Sequence, residues 1–266
     1  MLPLNDGSTA LPHEYRIALC LRLGAPLAEL THSELRCPSC GTVLDVYGFH
    51  PGTCKKGNVD YAWTQRSERL EGALAFVARR MGVHAVVVGA ANWFGIAGWD
   101  PRARNGKGAF RRADVVFPGF NGGGQRHFYA DVAITDGANA AAVASNSGDA
   151  AVVGVAAANR EAAKVRKYKP ICDRLGAMFK PGVIERGGHC GDGMCSIIKL
   201  LTGDGERDAM EDDISFTAPS RTTFVAQHLV FAAVMADAAM VYEVVQSTVY
   251  RVPRGRGRRG VVVGRG

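Results

Sequence analysis

No stretch of this 266-residue chain is expected to cross a bilayer. Its most hydrophobic stretch, 222–245, is interrupted by His228, Asp237 and Glu243, which leaves a charge-free run of about fifteen residues where a spanning helix needs roughly twenty. A second uncharged stretch, 82–99, is broken by glycines, His84 and Asn92. A secretory leader is not visible either, since residues 1–15 include Asn5, Asp6, His13 and Glu14. These absences predict an intracellular protein that is neither secreted nor membrane-bound. An even set of cysteines is also missing: there are seven. An odd number with three clustered beside a histidine suits a reducing compartment and a metal better than a disulfide framework.

Acidic residues are absent from the last stretch, 251–266, which holds Arg251, Arg254, Arg256, Arg258, Arg259 and Arg265. That tail carries six of the net seven positive charges and leaves +1 for residues 1–250. A core of near-zero net charge does not by itself predict nucleic-acid binding. The argument for such a partner has to come from motifs. The 33 glycines gather between apolar segments, and an apolar content of 47% is ordinary for a globular chain.

The apolar spacing predicts a helix over 14–23, stopped by Gly24 and Pro26, and a second over 62–80, ended by Gly82. Residues 83–90 read as a buried strand, 91–110 as a loop, and 112–117 and 127–135 as two strands joined by the PGFNGGGQ turn. Residues 136–156 are Ala-, Gly- and Ser-rich. A helix is expected over 157–169, then a strand over 177–185 weakened by Pro181 and Gly182. The region 187–220 reads as loop with a short helix near 197–201, followed by a long helix over 221–250 and an Arg/Gly tail expected to be disordered.

The strongest chemical signal is Cys37-x-x-Cys40, then His50, then Cys54. Four N/S ligands within so short a span suit tetrahedral zinc. Pro38-Ser39 lets the first two thiols converge, and Gly41 and Gly48 permit a tight backbone. The alternative is three free cysteines and an exposed histidine. His189, Cys190 and Cys195 form a looser group with three ligand types, while Cys20 and Cys172 sit on apolar faces as core residues.

Asp131 falls in mid-strand, on the face shared with His127, Tyr129, Ala133 and Thr135. Asp114 stands on the preceding strand, so pairing through the turn brings the two carboxylates together. An acid inside a strand is unfavourable without a partner, and a divalent cation such as Mg²⁺ is one. The 157–169 helix then offers Lys164, Lys167 and Tyr168 at i, i+3 and i+4. A lysine beside such a site can orient an attacking water or stabilise a phosphate in flight. The competing reading is structural ion pairing and a solvated basic helix face.

In this order, CPSC…H…CKKG (37–57), FRRADVVFPGF (110–120), FYADVAITD (128–136) and EAAKVRKYKPICDRLGAMFKPGVIE (161–185) resemble the restriction-like endonuclease region of site-specific non-LTR retrotransposon proteins, of the PD-(D/E)xK superfamily. The resemblance implies a mixed α/β protein: a small zinc knuckle, an αβββαβ restriction-endonuclease-like core, a long C-terminal helix and the tail. The expected units are 1–60 (helix and knuckle), 61–205 (core), 206–250 (C-terminal helical segment) and 251–266 (tail). It further implies that Asp114 and Asp131 hold a catalytic Mg²⁺, that Lys164 is the catalytic lysine with Lys167 and Tyr168 beside it, and that the zinc is structural. Glu68 on the first core helix stands as an outer acid. DNA, with RNA as the alternative, becomes the partner, and the nucleus the place. The activity implied is Mg²⁺-dependent nicking of target DNA; the alternative is a catalytically inactive zinc- and nucleic-acid-binding remnant of a retroelement protein. Arg112-Ala113 stand where the family usually has a proline, Ser67 follows Arg66 where it often has a histidine, and there is no polymerase domain. Deleting 251–266 is expected to weaken DNA binding and flatten its dependence on salt, because each arginine that neutralises a phosphate releases counterions. Binding isotherms at several salt concentrations check this, and an unchanged slope contradicts it.

Overall fold

The structure, a computed structural model, describes residues 11–31, 34–54, 59–87, 113–120, 127–136, 153–203, 218 and 220–249, with the backbone alone for 59–63 and 249. Expected features at 91–110, 121–126, 137–152 and 251–266 lie outside the described residues. What is described is a mixed α/β protein. Helix α1 (Pro12–Leu23) opens with proline, whose missing N–H costs nothing in a first turn, and closes on Gly24 at φ 63°. The cysteine-rich loop follows and contains the short helix α2 (Phe49–Thr53). Helix α3 (Val59–Arg80) is longer than the spacing implied and ends at Gly82, φ 76°.

A four-stranded sheet comes next, in spatial order β1-β2-β3-β4: β1 (Val86–Val87), β2 (Val115–Phe117), β3 (Phe128–Thr135) and β4 (Met178–Glu185). The first three pair antiparallel, and β4 runs parallel to β3 after a crossover through α4 (Val155–Arg174). Helix α5 (Asp192–Thr202) and helix α6 (Arg221–Val249) complete the described elements.

Strand β3 is buried on both faces. Phe128, Ala130, Val132 and Ile134 enter one core with Leu70, Leu74 and Val77 of α3, Ile197 of α5 and Leu229 of α6. On the other face, Tyr129 meets Ile171 and Cys172, and Ala133 meets Ala157, all from α4. The alternation foreseen for 127–135 is therefore the actual division between two layers.

Three expectations need correction. Helix α4 runs through Pro170 to Arg174 instead of stopping near 169, because Pro170 is exposed while the turn it belongs to buries Ile171 and Cys172. The helix expected near 197–201 begins at Asp192, since its N-terminal amide at Gly193 is capped by Glu161 from α4, a partner remote in sequence. The strand expected over 112–117 starts at Val115, with Asp114 just ahead of it.

Helix α6 is about 43 Å long at 1.5 Å per residue and serves two cores. Its first half packs with the sheet, and Val234, Ala238, Val241 and Val245 pack with α1, Cys37 and Cys54. By length and composition α6 could cross a membrane, but more than half of its most apolar stretch is buried inside the protein. Asp237 in its middle is 1% exposed and ion-paired to Arg66 and Arg186.

Glycine permits the closest approach in the fold. A Cβ at Gly182 would meet Ile197, Met194 and Val132 side chains at 3.0–3.1 Å, and one at Gly193 would collide with the Pro181 carbonyl oxygen. Gly193→Ala is therefore expected to destabilise the protein by about 1–3 kcal/mol, as overpacking does, whereas Gly187→Ala, with open space around it, leaves the melting temperature near wild type. Equal melting temperatures for the two variants would contradict the close-approach argument.

Candidate metal centre and carboxylate–lysine site

A short hairpin builds the first half of the metal centre. Arg36 and Val43 bridge, Cys37 N–H donates to Thr42 O at 2.8 Å, and Gly41 N–H returns to Cys37 O at 2.9 Å with φ 76°. Left-handed backbone at Gly41 is what turns Cys40 back toward Cys37. Asp45 builds the second half. Its carboxylate accepts the amides of Tyr47, Phe49 and His50 at 3.0, 2.9 and 2.6 Å, capping α2 and fixing His50 and then Cys54, whose amide donates to His50 O. No motif pointed to Asp45; its signal was an acid at the start of the short helix that carries a ligand.

The ligand atoms of Cys37, Cys40, His50 and Cys54 all lie within 4.8 Å of one another. The Cys37 and Cys54 sulfurs are 3.7 Å apart, and Cys40 Sγ is 3.1 Å from His50 Nε2. A tetrahedron with zinc–sulfur bonds of about 2.3 Å puts its sulfurs roughly 3.75 Å apart, so the four residues fit zinc; all seven cysteines are free of disulfides. Hydrogen bonds from Thr42, side chain and backbone, with lesser ones from Cys37 and Cys54, pull Cys40 down to about 6, toward the thiolate that metals bind. Among the described residues, His189, Cys190 and Cys195 do not form a second converging group. Burial instead pushes the Cys190 thiol up to about 11 and raises that of Cys195.

A separate cluster forms on the α4 face of the sheet. Val115 pairs with Ala130 and Val116 with Tyr129, which brings Asp114 alongside Asp131. Asp131 acts on Asp114 both by its charge and by side-chain hydrogen bonding, and both raise the Asp114 pKa. Asp114 Oδ2 also accepts the amide of Val132 at 2.7 Å. Lys164 of α4 ion-pairs with Asp131 and donates to Val132 O at 3.0 Å. Val132 thus gives its N–H to the Asp114 carboxyl and its carbonyl oxygen to the Lys164 ammonium. Lys164 and Asp131 are both buried.

Burial, with the charges of Asp131 and Glu71 added, pushes Asp114 up to about 9 against the pull of Lys164. The site therefore holds a proton at neutral pH that an ordinary aspartate has lost. Glu71, and not the exposed Glu68, is the α3 acid whose charge reaches Asp114. On the helix, Glu71 lies one turn beyond the position expected. Lys167 points elsewhere than Lys164: it is exposed, donates to the Tyr168 hydroxyl at 2.6 Å and lies over that ring. Tyr168 is buried and packs on Phe179 of β4. Of the expected trio on the helix, the structure brings Lys164 to the carboxylates and sets Lys167 and Tyr168 together one turn away.

Fold and sites together define a mixed α/β protein with a Cys₃His cluster able to hold a metal ion and, apart from it, a half-buried and a buried aspartate beside a buried lysine. No family model matches the chain, and no curated protein or solved structure matches it.

The raised Asp114 has a consequence for stability. The unfolded chain sheds this proton near pH 4, whereas the folded one keeps it to about pH 9. The folded state thus binds the extra proton throughout that window, and its stability falls as pH rises through it. Asp114→Asn is expected to melt higher than wild type at pH 8.5 in magnesium-free buffer, with the gain shrinking toward pH 4. Parallel melting-temperature profiles would contradict the assignment.

Proposed function

We propose that this chain is a Mg²⁺-dependent DNA endonuclease of the restriction-endonuclease-like class, the target-nicking portion of a retrotransposon-derived protein. The observation that carries the reading is the meeting of Asp114, Asp131 and Lys164, with Asp114 holding its proton beside a second carboxylate. Two acids that cannot both ionise under the protein's own charges favour a divalent cation. The order α3-β1-β2-β3-α4-β4 supports it as well, being the αβββαβ succession that the sequence resemblance implies.

Asp114 and Asp131 would hold the cation, and Glu71 would add its field from α3. When bound, Mg²⁺ supplies the positive charge that activates water and steadies a phosphodiester under attack. Asp114 would have to lose its proton to hold the cation, so magnesium affinity is expected to rise with pH toward about 9. Lys164 gives two hydrogens to Asp131 and Val132 O and would have its third for a phosphate oxygen. The exposed Arg160, Arg166 and Lys167 of α4 offer contacts to the DNA backbone. The zinc is structural and orders the segment 37–54.

One observation favours the non-catalytic alternative: Lys164 already gives Asp131 the opposite charge that a cation would bring. Nicking of supercoiled plasmid with Mg²⁺ separates the two. Asp131→Ala and Lys164→Met are each expected to lower the rate by roughly a hundredfold or more with zinc content and fold retained. Equal nicking by wild type and Asp131→Ala would refute the catalytic reading and leave a nucleic-acid-binding protein.

A further inference from the structure

Arg186 joins three parts of the protein that are far apart in sequence. It directly follows β4, and its amide donates to Thr135 O at the end of β3 at 2.8 Å. Its side chain ion-pairs with Asp237 in the middle of α6 and faces Asp136 at 3.7 Å. The remaining arm donates to Gly48 O at 2.8 Å, and the guanidinium lies 5.6 Å from the Phe49 ring. Gly48 opens α2 with φ 67°, two residues ahead of the ligand His50. A Cβ there would press into Leu27 at 2.9 Å, so this backbone has little room to shift. One rigid, planar guanidinium therefore holds the peptide that aims a metal ligand, the end of the sheet and the long helix.

The carboxylate–lysine site begins at the same place. Glu185, next to Arg186, accepts the Ala157 amide at 3.0 Å and caps α4, the helix that carries Lys164. Asp136 ends the strand that carries Asp131.

We propose that Arg186 is a positioning residue coupling metal occupancy of the Cys37, Cys40, His50 and Cys54 cluster to the order of the β3–β4 end. The coupling holds whether or not Asp114 and Asp131 cleave DNA. Because linkage is reciprocal, loss of the arginine weakens zinc binding, and loss of zinc loosens the sheet end. Outer partners of metal ligands are typically worth about 10–100-fold in affinity.

The test is hydrogen exchange on the full chain, zinc-loaded and stripped by a chelator, with zinc affinity measured by chelator competition for wild type and Arg186→Lys. Stripping wild type is expected to speed exchange at 37–54 and also at 134–136 and 184–188, while α5 stays protected. In Arg186→Lys it is expected to speed exchange at 37–54 alone, with zinc affinity lowered about tenfold or more. Unchanged zinc affinity in the variant, or stripping that reaches the sheet end in both proteins alike, overturns the proposal. The wild-type arm decides alone if the variant does not fold: exchange confined to 37–54, or spread evenly through α5, also overturns it.

Discussion

Four buried charges hold the layers together. Arg66 comes from α3, Asp136 from the end of β3, Arg186 from the end of β4 and Asp237 from α6, and each is under a tenth exposed. The set is neutral, two arginines against two aspartates. Burial pulls the Arg66 guanidinium below its ordinary value, against the opposing charge of Asp237. Burying such charges adds little net stability compared with apolar residues of the same shape, yet removing one strands the others at a cost of about 3–5 kcal/mol. The network therefore acts as a registration device. It accepts one arrangement of α3, α6 and the two strand ends.

Helix ends are registered in the same manner. Neither α4 nor α5 receives a cap from a side chain at its own N-cap; each follows a glycine. Glu185 of β4 caps α4, and Glu161 of α4 caps α5. A carboxylate at a helix N-terminus meets unpaired amides and the positive end of the dipole, which is why a buried acid is tolerated there. The succession β4 to α4 to α5 makes the position of each element depend on the one before it. Lys164 reaches Asp131 because the start of its helix is fixed at Glu185.

Local information sufficed where spacing carried the physics. The alternation in 127–135, the helical period of α3 and the turn glycines at 24 and 82 each depend on a few neighbouring residues, and all appear as read. The Cys₃His cluster was legible for the same reason: its ligands span so short a segment that they can scarcely avoid one another. Asp114 and Asp131 were legible as a pair because consecutive strands tend to pair, and β2 and β3 do so antiparallel with Val115 opposite Ala130. The distant partners were not. Glu161 gives no sign in the sequence that it caps residue 193, and Asp237 reads as a flaw in an apolar helix until Arg66 and Arg186 are seen around it. Glu71 was missed for Glu68 because helical period alone does not say which of two acids one turn apart faces a strand end.

The span of α6 has a consequence during synthesis. Ile17, Leu27, Cys37 and Cys54 find their apolar cover on Val234 through Val245, residues made at least 180 positions later. At roughly 5–20 residues per second, the amino-terminal segment waits on the order of ten to forty seconds for the surface that buries it. Throughout that interval a greasy, thiol-bearing stretch stands open on the nascent chain. Early capture of a metal by the four ligands would keep it compact until the last helix closes over it.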